Sequence, residues 1–154
     1  MKIMLACGGT GGHLFPGIAL AQAFQKRRPE TEVVFVGTKR GIEDEVLRES
    51  LWQLRLIKIS SFADRGLWQK FLFFFSLVRG VFSAISLLRE EKPDVIVGVG
   101  GYVQAPVILA AFLLRKPILL VETNAIPGYS NRYLQFFADR VVVAYPSMEK
   151  YFGK

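Results

Sequence analysis

The chain has 154 residues, enough to bury one core but short for a two-domain enzyme. Its composition, 51% hydrophobic and 21% charged, excludes disorder, and its formal charge of +7 favours anionic partners such as phosphates or acidic lipid head groups. One cysteine and one histidine rule out a disulfide framework, a thiolate cluster and a histidine pair for a metal, and scattered cations without a stacking platform argue against nucleic acid.

The first strand is expected at Lys2 to Ala6, with no signal-peptide pattern before it, and it runs into Cys7-Gly8-Gly9-Thr10-Gly11-Gly12-His13. Glycines remove the Cβ atoms that hold a ligand off the backbone, so amide N–H groups can converge on an anion where a helix begins. The helix is expected at Pro16 to Arg28, with Pro16 just inside its start. Two phosphate fingerprints fail here. Counting G-x-G-x-x-G from Gly9 puts Leu14 at the last glycine, and the second strand, Glu32 to Gly37, ends without the acidic residue that would hold a ribose. A Gly-Lys-Ser/Thr ending is also missing. A diphosphate or sugar-nucleotide site remains, the plain alternative being a tight turn that binds nothing. His13 on its rim is an acid/base or diphosphate-binding candidate, or a lone structural histidine.

A helix at Ile42 to Ser50 and a strand at Leu54 to Ile59 follow, then a long apolar helix at Leu67 to Glu91. Lys70, Arg79 and Gly80 interrupt it, which favours a crossover helix over a membrane span. Apolar residues surround its axis, so a patch of Trp68, Phe71, Phe74, Phe75, Val78 and Phe82 with Lys70 and Arg79 is expected to stay exposed. Arg65 and Arg89 extend the basic rim, the profile of a surface resting on an anionic bilayer.

The fourth strand, Asp94 to Val99, leads into a second glycine loop, Gly98-Val99-Gly100-Gly101-Tyr102, and a helix at Val103 to Arg115. Tyr102 can offer its hydroxyl to a ligand or pack. The fifth strand, Ile118 to Glu122, ends in a carboxylate followed by Asn124 and Asn131: Glu122 can accept a hydroxyl proton or orient a base, Asn124 can hold a sugar or phosphate oxygen, and Asn131 can do the same or cap a turn. A helix at Tyr129 to Ala138, a sixth strand at Arg140 to Ala144 and a short helix at Pro146 to Phe152 complete a regular βα alternation. That order specifies an α/β, Rossmann-like, doubly wound parallel sheet, with the loops after strands one, four and five on one edge.

Gly8-Gly9-Thr10-Gly11-Gly12-His13 with Phe15-Pro16-Gly17, then Gly100-Gly101-Tyr102-Val103, then Glu122-x-Asn124 with Gly128 and Asn131, resemble the N-terminal domain of the MurG family over nearly the whole chain. The resemblance implies that residues 1–154 are the acceptor-binding, N-terminal half of a GT-B glycosyltransferase whose C-terminal donor-binding domain is absent. Such enzymes are inverting, need no metal or other cofactor, and move N-acetylglucosamine from UDP-N-acetylglucosamine to undecaprenyl-diphospho-N-acetylmuramoyl-pentapeptide in peptidoglycan synthesis. It further implies catalytic roles for His13 and Glu122 and donor contacts from Thr10, Gly11, Gly12 and Asn124. Acceptor contacts would come from Gly9, His13, Gly100, Gly101, Tyr102, Glu122 and Asn131, and the apolar patch would dock peripherally on the cytoplasmic face of the bacterial plasma membrane. Two departures stand out: Val121-Glu122-Thr123-Asn124 where the family usually reads His-Glu-Gln-Asn, and Tyr102-Val103-Gln104-Ala105-Pro106 where it reads Tyr-Val-Ser-Gly-Pro. The rival readings are a non-catalytic membrane-binding subunit of a split transferase and a nucleotide-dependent oxidoreductase.

Overall fold

A computed structural model describes residues 1–39, 42–59 and 67–153, with the side chains of 67–72 outside the description. Six strands form one parallel sheet: β1 (Lys2–Cys7), β2 (Glu32–Gly37), β3 (Gln53–Leu56), β4 (Val95–Gly100), β5 (Ile118–Glu122) and β6 (Arg140–Val143). Their spatial order is β3-β2-β1-β4-β5-β6. The helices between them are α1 (Gly11–Arg27), α2 (Glu43–Leu47), α3 (Leu67–Glu91), α4 (Gln104–Leu113) and α5 (Tyr129–Leu134), with 3-10 turns at Gln135–Phe137 and Pro146–Tyr151.

Alternation along each strand builds two apolar layers, because neighbouring side chains leave a strand on opposite faces. Ile3, Leu5 and Cys7 pack with Leu14 and Ala21 of α1 and Leu47 of α2. Met4 and Ala6 pack on the other face with Ala84, Leu87 and Leu88 of α3 and Val107, Ile108 and Ala111 of α4. Covered on both faces, the central strands are almost continuously apolar, as parallel sheets require.

Chain direction across the sheet reverses between β1 and β4, so the loops after these strands part and leave a crevice at their carboxyl ends. The β1/β4 register shifts there: Ala6 faces Gly98 but Cys7 faces Gly100, so Val99 is an extra residue that re-aims the second glycine loop.

Several boundaries differ from the sequence expectations, among them the second helix, which is Glu43–Leu47 and not Ile42 to Ser50. The first helix starts at Gly11, just after Thr10, which puts Pro16 in its interior, not at its start. The missing N–H leaves the Gly12 carbonyl without its helical donor. The third strand ends at Leu56, not Ile59, because its partner β2 ends at Gly37, which pairs with Leu56. The helix expected to run to Ala138 stops at Leu134 and finishes as a 3-10 turn.

Candidate functional site

The first glycine loop is shaped from beneath by a carboxylate. Glu43, the first residue of α2, is fully buried and accepts the N–H of Gly9, whose φ is +97°. Its seat exists because residues 8 and 37 are glycines: a Cβ at Gly8 would overlap Glu43 Oε1, and one at Gly37 would lie 2.9 Å from Cγ. Glu43 Oε2 is buried and has no hydrogen-bond partner among the described residues. Beside it, burial, with the Glu43 carboxylate adding to it, pushes the Cys7 thiol up to about 12, which makes this cysteine inert.

The loop feeds an α1 N-terminus left open for an anion. Thr10 is exposed and its hydroxyl makes no capping bond, while the first turn holds no acidic residue. The Thr10 carbonyl accepts from the N–H groups of His13 and Leu14, each at 3.2 Å. The Gly11 and Gly12 amides have no intrahelical acceptor at this end of a helix and carry its positive dipole.

The second glycine loop closes over the first. Gly100 and Gly101 have φ of +119° and +81°. A Cβ on Gly100 would overlap His13 Nδ1, and one on Gly101 would overlap the Gly8 carbonyl oxygen. His13 is half-buried, on the first turn of α1, with its ring against this glycine pair. Tyr102 lays its ring on Gly9, where a Cβ would lie 2.5 Å from Cε1, and its hydroxyl is 3.1 Å from Thr38 Oγ1 just after β2. Gly9, His13, Gly100, Gly101 and Tyr102 thus form one cluster, in which the tyrosine hydroxyl already has a protein partner.

Glu122 and Asn131 turn inward. Glu122 is buried at the end of β5, and its two oxygens accept four N–H groups: Asn124 N at 2.9 Å, Asn124 Nδ2 at 2.8 Å, Gly128 N at 2.9 Å and Asn131 Nδ2 at 3.0 Å. That fills the capacity of a carboxylate. Asn131 accepts from Gln104 Nε2 at 2.7 Å, and Gln104 Oε1 accepts the Gly100 N–H at 3.0 Å. A buried relay of side chains therefore ties the second glycine loop to the 122–128 loop, which presents Asn124 at the surface.

Sequence reasoning missed Glu43 and Thr38 as builders of the site and met Gln104 only as a departure from a motif. The available signal for Glu43 was the pair of glycines at 8 and 37, each ending or following a strand. On α3, Phe74, Phe75, Val78 and Phe82 are exposed, at 60%, 51%, 36% and 68%, and Arg79 and Arg89 are exposed with them. The side chains of Trp68, Lys70 and Phe71, and all of Arg65, lie outside the described residues. Among the described residues no helix is long and apolar enough to cross a membrane. A cavity of about 520 Å³ between Phe112, Lys116, Asp139 and Arg140 opens at the amino end of the strands, away from the glycine loops and from the edge where such sheets take ligands.

Residues 3–143 match the family model described as the glycosyltransferase family 28 N-terminal domain. The chain belongs to this family. It is 47% identical over 154 residues to a protein of Syntrophotalea carbinolica and 39% identical over 154 residues to one of Thermodesulfovibrio yellowstonii. Both relatives carry the name UDP-N-acetylglucosamine--N-acetylmuramyl-(pentapeptide) pyrophosphoryl-undecaprenol N-acetylglucosamine transferase. All of the chain is covered in each case, but only 43% and 42% of the relatives. The crystal structure of Acinetobacter baumannii MurG superposes with a TM-score of 0.83 at 34% identity, over 95% of this chain and 42% of that one. The family 28 chain thus spans about two fifths of the length of the proteins it resembles.

Proposed function

We propose that the chain is the acceptor-binding portion of an inverting transferase that passes N-acetylglucosamine from UDP-N-acetylglucosamine to undecaprenyl-diphospho-N-acetylmuramoyl-pentapeptide. The observation that carries this reading is the meeting of two glycine loops, Gly8–Gly12 and Gly100–Gly101, over an uncapped α1 N-terminus without a first-turn acid, in a member of glycosyltransferase family 28. Such a place suits the two negative groups of a diphosphate.

In the reaction the acceptor hydroxyl oxygen bonds to the anomeric carbon as that carbon's bond to the diphosphate oxygen of UDP breaks. The hydroxyl proton passes to a base, and UDP leaves with the negative charge. Amides fixed in place before the reaction stabilise such charge without reorganising. Thr10, Gly11, Gly12 and Asn124 face the donor, and Gly9, Gly100, Gly101 and His13 face the acceptor. Tyr102, Glu122 and Asn131 act through the loops they hold. The remainder of the donor site belongs to the length of the relatives that this chain does not span.

The exposed phenylalanines of α3, with Arg79 and Arg89, suit peripheral docking on the anionic cytoplasmic face of the bacterial plasma membrane, where a polyprenyl-linked acceptor resides. Calorimetric titration of the chain with a soluble analogue of the lipid-linked muramoyl-pentapeptide diphosphate, run beside UDP-N-acetylglucosamine, tests the reading. Binding of the acceptor analogue with weak or no donor binding is expected. Donor binding without acceptor binding would sink it.

A further inference from the structure

The ring of His13 sits where its surroundings decide which nitrogen carries the proton. A Cβ built at Gly100 would meet Nδ1, Cε1 and Cγ of the ring, and one built at Gly101 would meet Cδ2. Nδ1 is buried and has no hydrogen-bond partner among the described residues. The residue is only half-buried, and Nε2, which has no hydrogen-bond partner among the described residues, is not among the buried unpartnered atoms, which leaves it accessible. A proton on Nδ1 would be a buried N–H with no acceptor, whereas a bare Nδ1 is only an unused lone pair. Buried unpaired donors are the rarer and costlier of the two.

We propose that His13 is held as the Nε2–H tautomer and serves the substrate diphosphate as a neutral hydrogen-bond donor, not as the base that takes the acceptor's hydroxyl proton. The assignment comes from the hydrogen-bonding surroundings, as tautomers generally do. To accept a proton at Nε2 the ring must first be bare there, which puts the proton on Nδ1. After accepting, it carries both. Each state leaves the buried Nδ1–H unpaired. Glu122 does not take over as base, since both its oxygens are committed to four donors. The base for the hydroxyl therefore lies outside these two side chains. The His13 Nε2–H adds a side-chain donor to the backbone amides of the diphosphate cleft. This role rests on reading the cleft as a diphosphate site.

His13 is the only histidine, so a chain labelled with 15N-histidine gives one imidazole pattern. Two-bond proton–nitrogen correlation spectra of the unliganded chain near neutral pH are expected to show Nδ1 bare and Nε2 protonated. The reverse assignment, or protons on both nitrogens, overturns the proposal. It leaves the acceptor-binding reading intact, because calorimetry tests that separately. Titrations with UDP and with a short-chain prenyl diphosphate are then expected to shift the Nε2 resonance, and the more effective ligand identifies whether the donor's or the acceptor's diphosphate is held. An Nε2 resonance unmoved by both rejects the donor role. His13→Gln, whose amide can place an N–H near the Nε2 position, is expected to keep the Kd for that diphosphate within about threefold, while His13→Phe weakens it about tenfold or more. Equal losses in the two variants count against a donated hydrogen bond.

Discussion

Glu43 has glycine backbone where the buried Glu91 has a lysine and an arginine. Its acceptor bond to Gly9 N–H fixes the first turn of the loop, and the voids at Gly8 and Gly37 are cut to its outline. Glu43→Ala leaves both a cavity and an unpaired buried N–H, and we expect a loss of about 2–4 kcal/mol in urea denaturation, against about 1 kcal/mol for Glu43→Gln, which keeps an acceptor. Gly101→Ala is expected to cost about 2 kcal/mol or more, since φ is +81° and the new Cβ meets the Gly8 carbonyl, whereas Gly153→Ala, with nothing within 4 Å, is expected to be neutral by the same measurement. The glycine loops were legible in the sequence because glycine density after a strand has few other uses. Glu43 was not, because its role depends on voids that two distant glycines leave in space. Tyr102 stayed open between ligand contact and packing, since no sequence pattern announces that Thr38 follows β2 within reach of its hydroxyl.

Helix α3 has different duties at its two ends. At its carboxyl end the buried Glu91 receives Lys2 Nζ of β1 at 2.6 Å and the Arg55 guanidinium of β3, while the exposed Glu90 adds a second contact to Arg55. A carboxylate opposes the helix dipole there, and the two cations offset it. Hydrogen bonding to Lys2, opposed by desolvation and helped by Arg55, holds the Glu91 carboxyl below the usual carboxylate range, and Glu91 and Glu32 raise Lys2 above the ordinary lysine value. A lowered folded-state carboxyl gives stability that is present above its unfolded value and is lost as pH falls through the folded one. A raised lysine gives stability that is present below its unfolded value and is lost only as strongly alkaline pH passes the folded one. The urea midpoint of the wild-type chain is therefore expected to fall on acidification below about pH 4.5, and that of Glu91→Gln to start lower and fall less over the same range. Toward its other end α3 offers the phenylalanine row. Phe74→Ser with Phe82→Ser is expected to weaken sedimentation with anionic vesicles about tenfold, while high salt weakens the wild type through Arg79 and Arg89. The span of this helix was legible from its long, mostly apolar run, and the length of β3 was not, because apolar residues continue to Ile59 after the partner strand has ended at Gly37.

The whole molecule is a sheet whose two central strands deliver both glycine loops to one crevice. The βα alternation was readable because buried parallel strands are short apolar runs bounded by turn residues. The order of the strands and the slip at Val99 belong to pairing in space, which alternation alone does not reveal. Since the chain spans 43% of the length of its Syntrophotalea relative, it is expected to bind the acceptor analogue without transferring sugar. Radiolabelled N-acetylglucosamine incorporation at the rate of a two-domain enzyme would contradict that. The enclosure of Cys7 also bears on how such binding can be watched. Its sulfur packs where Gly17 has no side chain, out of solvent and with a thiol too weakly acidic to form thiolate at neutral pH. Maleimide reagents should pass it by, so a cysteine introduced at exposed Tyr129, one residue beyond the Glu122-bound Gly128, would carry a fluorophore alone, with no native thiol to delete first.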